Sequence, residues 1–281
     1  MAQPPELTDR RALERNRRRS MAEARFLLQE VVCDTIERLK EVNRPFTKTA
    51  LVAAFPEDWA PLGASDLVPD APLLEFPKSD YSAVIHGFCL HWANDPVGQL
   101  IQARRALAPD GLFIASLFGG QTLHELRAAL AMAETEVTGG LSPRVLPMAD
   151  IRDLGALLQR AGFALPVADS WTRTVHYKSL TGLMRDLRAM GEANALSDRL
   201  RRPTRRRILE RAEEIYRSSH ATDDGKLIAT FEIVTLTGWA PDASQPQPLR
   251  PGSATTRLAE ALGTAEEPAG EQVFVRPRHK D

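Results

Sequence analysis

The 281-residue chain has two cysteines, Cys33 and Cys89, and no glycine before Gly63. Two cysteines cannot build a disulfide framework, and such usage suits a reducing compartment. No stretch approaches 18 uninterrupted apolar residues, which excludes a membrane-spanning helix. An excess of one charge is also missing: 36 basic residues face 37 acidic ones, for a net charge of −1. A dedicated nucleic-acid binder would be strongly basic, so no nucleic-acid partner is expected. Lysine is scarce, with 6 of the 36 basic residues, and this arginine bias reads as a genome-composition effect. The first 25 residues hold seven arginines but also Glu6, Asp9, Glu14 and Glu23. Neither a mitochondrial transit peptide nor a secretory signal has that mixture, so the expected location is cytoplasmic.

What is present is ordinary globular material, with 43% hydrophobic and 26% charged residues. Phe26, Leu27, Val31, Ile36, Leu39 and Val42 build one apolar face and predict a helix over 8–42. Arg44-Pro45 ends it. Residues 49–55 and 81–88 read as buried strands of a parallel sheet, and 112–118 as another. Five prolines between 56 and 77 exclude long helices there. Pro96 opens a helix, and Pro109-Asp110-Gly111 reads as a turn. Thr122 and Glu125 have the spacing of a capping box opening a helix that Gly139-Gly140 ends. Further helices are expected near 150–160, 180–190 and 203–219, with strands at 171–177 and 231–239. From Pro241 onward the composition suggests a loosely ordered tail. Alternating strands and helices between 48 and 160 point to a doubly wound α/β sheet, which receives ligands at the carboxyl ends of its strands.

Three segments go further: SDYSAVIHGFCLHWANDP at 79–96, APDGLFIASLFGGQTLHEL at 108–126 and MAETEVTGGLS at 132–142. With GALLQRAGF at 155–163, FLLQEVVCDTIERL at 26–39 and RPGSATTRLAEALG at 250–263, they resemble the class I S-adenosylmethionine-dependent methyltransferase superfamily. The resemblance is to the branch containing mitochondrial complex I assembly factor five, which is associated with arginine hydroxylation. It extends more distantly to the malonyl-carrier-protein O-methyltransferases.

The resemblance implies a Rossmann-like α/β fold, with S-adenosylmethionine held where the first strand ends in an acid and a D-x-G-x-G-x-G turn. Glycines there let the backbone approach the cofactor closely. The matching positions are Val52, Ala54 and Pro56. Val52 cannot accept a hydrogen bond, Ala54 adds a methyl group, and Pro56 removes a backbone donor. Asp66 stands where the resemblance puts the acid that holds the ribose hydroxyls. The 14-residue step from Val52 to Asp66 barely accommodates a crossover, and the third strand looks missing. The N-terminal half of the sheet is therefore expected to be eroded.

His91 and Trp92 follow a strand at the ligand-binding face, so they are candidates for lining a cofactor or substrate pocket; a wedged aromatic at a strand end explains them equally well. His86, Cys89 and His91 lack the spacing of a zinc site, and no metal is expected. Glu134 and Glu136 lie two apart on a helix, hence on different faces. The arginine runs at 15–19 and 199–207 fit solvated helix faces or an acidic protein surface.

The expected organisation is a helical segment over 1–44, a methyltransferase-like domain over 45–240 with helical insertions near 120–140 and 180–220, and the tail over 241–281. The expected function is that of a protein-binding assembly factor with a degenerate S-adenosylmethionine loop, its partner a complex I subunit by resemblance. The alternative is an active methyltransferase or arginine hydroxylase acting on a protein.

Overall fold

Strand β1 (Thr49–Ala53) is buried along its whole length. It is flanked by β2 (Asp66–Pro69) on one side and β3 (Tyr81–Gly87) on the other, both parallel to it. A strand covered on both edges and both faces must be apolar throughout, which is the pattern of Ala50-Leu51-Val52-Ala53. The computed structural model describes residues 6–246 and 263–264. Residues up to Ala243 form one unit, and a second unit begins at Ser244. Most of the tail expected over 241–281 lies outside the described residues.

The sheet has six strands in the order β2-β1-β3-β4-β6-β5. Strand β4 (Leu107–Phe118) is parallel to β3, whereas β6 (Leu227–Trp239) runs antiparallel to both β4 and β5 (Ala164–Tyr177). The β1–β2 crossover is a 3-10 turn, Pro56–Leu62, in place of an α-helix. After β2 the chain returns to β3 through residues 70–80 without a helix or a further strand, and among the described residues β2 is the edge. The expected erosion of this half is thus a matter of connectivity: among the described residues no strand lies beyond β2 and no helix joins it to β3.

Helices α1 (Arg10–Arg17), α2 (Phe26–Glu41), α3 (Pro96–Ala106), α4 (His124–Thr138), α5 (Ile151–Arg160), α6 (Leu180–Met190) and α7 (Arg206–His220) cover the sheet. The helix expected over 8–42 is divided. At Arg25 the backbone leaves the helical region, and the side chain turns inward to Asp58 at 2.6 Å and Glu57 at 3.0 Å. The turn expected at 109–111 is a bulge inside β4: Tyr81 pairs with Leu107 and Ala83 with Leu112, with Asp110 at φ 57°.

The capping box is not formed. Leu123, not Thr122, caps α4, and it has no side-chain bond to offer. Thr122 Oγ1 instead donates to Glu232 O and accepts from Glu232 N, both at 3.0 Å. Glu125 accepts from the Thr230 hydroxyl and from Thr230 N. Both residues therefore anchor the start of α4 to β6.

The N-terminal segment is stitched to the loop after α6. Thr8 and Leu196 form an antiparallel bridge, Asp9 N donates to Ala195 O at 2.8 Å, and Asp9 pairs with Arg199 at 2.9 Å. Ala12 and Leu13 pack there with Trp92, Leu146, Ala195 and Leu196.

Candidate functional site

The carboxyl ends of β1, β2 and β3 converge where a doubly wound sheet receives its ligand. Val52 is fully buried there against Val68, Leu74 and Cys89. Phe55 lies beneath the Arg25 guanidinium, 4.3 Å from ring centre to carbon. The Trp59 ring packs onto Gly87 so closely that a Cβ at Gly87 would stand 2.7 Å from it. The cavity left between the ends of β1 and β3 measures about 20 Å³ and is lined by Arg25, Ala54, Phe55, Phe88, Met190 and Glu192 among others. Such a space holds about one water molecule.

Asp70, just past the end of β2, has a side chain that is 1% exposed. It pairs with Arg17 at 2.5 Å and Arg10 at 3.4 Å, both from α1. Burial alone would raise its carboxyl, but the charges of Arg17 and Arg10 outweigh burial and hold it below the ordinary carboxylate range. An open groove of about 360 Å³ beside it is lined by Arg17, Ala54, Pro56, Leu67 and Pro69 among others.

These residues do not fit S-adenosylmethionine in the usual class I position. No acid ends β1, the space between the ends of β1 and β3 is nearly filled by Phe55, Arg25 and Met190 among others, and Asp70 at the end of β2 is already paired with Arg17 and Arg10. Nearby, burial pushes the His86 imidazole below its ordinary range and the Cys89 thiol well above its own. Their ring nitrogen and sulfur are 3.6 Å apart, and His86 Nε2 meets Gln99 Oε1 at 2.9 Å. A neutral imidazole and an un-ionised thiol make this a packed pair. Among the described residues no cluster of three or more His, Cys, Asp or Glu could hold a metal ion.

Asp66 sits at the amino end of β2, beside Ala50. Its carboxylate takes Lys78 Nζ at 3.0 Å and the Tyr81 hydroxyl at 3.1 Å, and the Lys78 bond foremost holds it below its ordinary range. The structure places it at the opposite end of the sheet from His91 and Trp92.

Those two are brought together by a 3-10 turn, Leu90–Trp92, directly after β3. Trp92 Nε1 donates to Glu192 Oε2 at 2.7 Å, and His91 Nε2 lies 3.3 Å from the same oxygen. His91 is wedged against Phe118, with centroids 4.9 Å apart, and against Phe88 at 5.7 Å. Burial would raise the Glu192 carboxyl, but the His91 hydrogen bond and charge, the charge of Arg17 and the Trp92 bond outweigh it, leaving it below its ordinary range.

Beyond Glu192 opens a cavity of about 350 Å³ at the carboxyl ends of β3 and β4. Its walls are mainly apolar, with Trp92, Phe118 and Phe231 contributing rings. Two of its arginines are occupied internally: Arg144 with Glu134 at 2.8 Å, and Arg199 with Asp9 at 2.9 Å. Such a mixture of apolar wall and few polar groups is the usual make-up of a ligand site.

Of the two residues expected to line a pocket, Trp92 borders the 350 Å³ cavity and His91 stands behind it against Glu192, Phe88 and Phe118, while Glu192, Asp70 and Arg17 were not anticipated. The acid in the VPD run after β2 was the available signal for Asp70. Nothing in sequence spacing ties Glu192 to a turn 100 residues earlier.

A mostly parallel sheet closed by an antiparallel strand, layered with helices and open at the carboxyl ends of its central strands, is the Rossmann-like class I methyltransferase fold. The chain is a homologue of the NDUFAF5 arginine hydroxylases and of the malonyl-carrier-protein O-methyltransferases. It is 38% identical over 195 residues to "Arginine-hydroxylase NDUFAF5, mitochondrial" of Rattus norvegicus, covering 69% of this chain and 57% of the relative. It is 36% identical over 170 residues to the malonyl-[acyl-carrier protein] O-methyltransferase of Halorhodospira halophila, covering 60% of this chain and 56% of that protein. The chain thus spans a little over half the length of the curated relatives it matches. A solved methyltransferase-type protein from Bacillus halodurans C-125 is similar at 14% identity with a TM-score of 0.47, covering 73% of this chain and 98% of that one. No family model matches the chain.

The cytoplasmic expectation is corrected by these relatives: the NDUFAF5 proteins of rat and human are mitochondrial. Absence of an acid-poor, serine-rich leader was too weak a basis for it. No helix among the described residues is long and apolar enough to cross a membrane.

Proposed function

We propose that this protein is an assembly factor of the NDUFAF5 kind that receives a segment of a protein partner, a respiratory complex I subunit by resemblance, in the 350 Å³ cavity beside Glu192. It does so without S-adenosylmethionine in the space between the ends of β1 and β3. One observation carries this reading: the space between β1 and β3 is reduced to about 20 Å³ by the chain's own side chains, while the neighbouring cavity stays open. Ala54 and Pro56 add to it, because the Ala54 methyl group stands where a ligand would approach the backbone and Pro56 has no N–H to donate.

Isothermal titration of the folded chain with S-adenosylmethionine and S-adenosylhomocysteine tests the proposal. No saturable heat from either is expected. Micromolar binding of either would overturn the cofactor-free reading.

The second reading is an enzyme acting on an arginine of that partner, and the His91–Glu192–Trp92 cluster favours it. This cluster stands where the filled space and the open cavity meet, the position of reacting groups in such a fold. Under this reading, replacing His91 abolishes turnover of the partner while the thermal melt stays cooperative.

A further inference from the structure

Strand β5 is the second edge of the sheet: among the described residues it pairs with β6 and with no other strand. Between residues 167 and 177 its ladder with β6 runs without a register shift. No proline and no lysine falls in that stretch, and among the described residues no hydrogen bond from outside the sheet engages its backbone. Proteins ordinarily blunt so long an edge with proline, lysine, a bulge or a covering element. Here Pro166 and the register shift at 164–167 blunt one end alone. Val167 is 54% exposed, and Ser170, Thr172 and Thr174 are exposed as well. On the α5 side an open groove of about 430 Å³ borders the edge, with the small residues Gly155, Ala156 and Ala168 among its walls.

We infer that β5 is a self-association edge, and that its occupant is β5 of a second copy of this chain, running antiparallel so that two sheets become one. The twofold axis joining them stands normal to the sheet, so each residue meets one from the same face. Only an axis through Trp171 sets opposite charges against each other. It places Asp169 opposite Arg173 of the second copy, Val167 opposite Val175, and Trp171 opposite its own counterpart. On the other face Ser170 meets Thr172, and Ala168 meets Thr174, whose methyl group enters the groove beside α5. An axis one residue earlier sets Asp169 against Trp171, and one residue later sets it against Val175. Two residues either way brings Asp169 or Arg173 against itself, and like charges directly opposite are destabilising. Both side chains are within reach, at 39% and 50% exposure. Arg38 is shared by Asp34 and Asp169, at 2.8 and 2.6 Å, which leaves one negative charge for an incoming cation to meet. Arg173 holds Glu30 through Nε and Nη2, which leaves Nη1 to donate across the seam.

Sedimentation velocity of the full chain across micromolar concentrations tests this, and a monomer–dimer equilibrium is expected. Thr172→Lys combined with Thr174→Lys crowds ammonium groups along the seam. It should raise the concentration at which half the chain is dimeric about tenfold or more. The register is read by disulfide formation in a Cys33→Ser background, which removes the exposed native thiol. Ser170→Cys mixed with Thr172→Cys is expected to cross-link in air, because the two positions lie opposite each other. Val167→Cys alone is expected not to, because its two copies stand far apart along the seam. A chain that stays monomeric, a dimer that the lysines leave unchanged, or cross-linking of Val167→Cys equal to that of the mixed pair would overturn the inference. So would protection of the β5 amides from hydrogen exchange in a monomer, since another part of the chain would then already cover the edge. Should the double lysine variant fail to melt cooperatively, the cysteine pair still decides.

Discussion

Arg17 of α1 donates to Asp70 at the end of β2 over 2.5 Å, and the two side chains are 10% and 1% exposed. Fifty-three residues separate them, and the pair joins the N-terminal helix to the edge of the sheet. Removing the shared carboxylate leaves both arginines, Arg17 at 2.5 Å and Arg10 at 3.4 Å, without their partner. Asp70→Leu is therefore expected to cost about 3–5 kcal/mol in urea unfolding. Arg17→Met, which leaves Asp70 paired with Arg10, should cost less. An Asp70→Leu variant no less stable than Arg17→Met would contradict this account.

Glu134 is 7% exposed, with both carboxylate oxygens engaged by Arg144 and Ser142. The Arg144 bond foremost, against burial and with help from Ser142, brings its carboxyl down from 4.5 to about 2. A carboxyl depressed in the folded state contributes stability that is complete above its unfolded value and fades as pH falls toward the folded one. The window is thus from pH 4.5 down to about 2, and the contribution is about 3 kcal/mol. Glu134→Gln should lower stability at pH 7 and flatten its dependence across that window. Chemical denaturation at stepped pH measures both.

Gly87 ends β3 directly under the Trp59 ring. Gly87→Ala places a methyl carbon 2.7 Å from a ring that is 1% exposed. A loss of about 1–3 kcal/mol is expected. A thermal melt unchanged from the parent would mean the ring does not rest there.

Thr122 holds Glu232 by two backbone bonds at 3.0 Å while 1% exposed. Thr122→Val keeps the shape and removes both. Stability should fall by about 1–3 kcal/mol. The same substitution at an ordinary N-cap would expose a helix end to water, so accelerated amide exchange at Glu232, rather than in the first turn of α4, distinguishes the two roles.

The sheet was legible because its signals are local. Ala50-Leu51-Val52-Ala53 needs no partner to announce a buried strand, and the five prolines after residue 55 exclude a long crossover helix whatever they pack against. The shortened chain between Val52 and Tyr81 likewise foretold the absent strand. Thr122 and Glu125 misled for the opposite reason: their spacing satisfies a capping box, yet β6, more than 100 residues later, supplies better partners. Arg25 carries no helix-breaking chemistry of its own; Asp58 and Glu57 turn it inward. Asp66 and Asp70 differ only in which end of a four-residue strand they occupy, and sequence alone gave no strand bounds that fine. Glu192 belongs to a turn after β3 only once the chain has folded.

The bridge between Thr8 and Leu196 sets an order on how the molecule is made. Residues 7–17 are synthesised well before Ala195, which accepts from Asp9 N, and Ser197, whose N–H donates to Leu7 O; these partners emerge nearly 190 residues later. At about 5–20 residues per second, that is an interval of roughly ten to forty seconds. Through it, Leu13 lacks Ala195 and Leu196, two of the residues it packs with. Helix α1 is thus among the last pieces to be fastened, and until then the groove at the end of β2 lacks the wall that Glu14 and Arg17 supply.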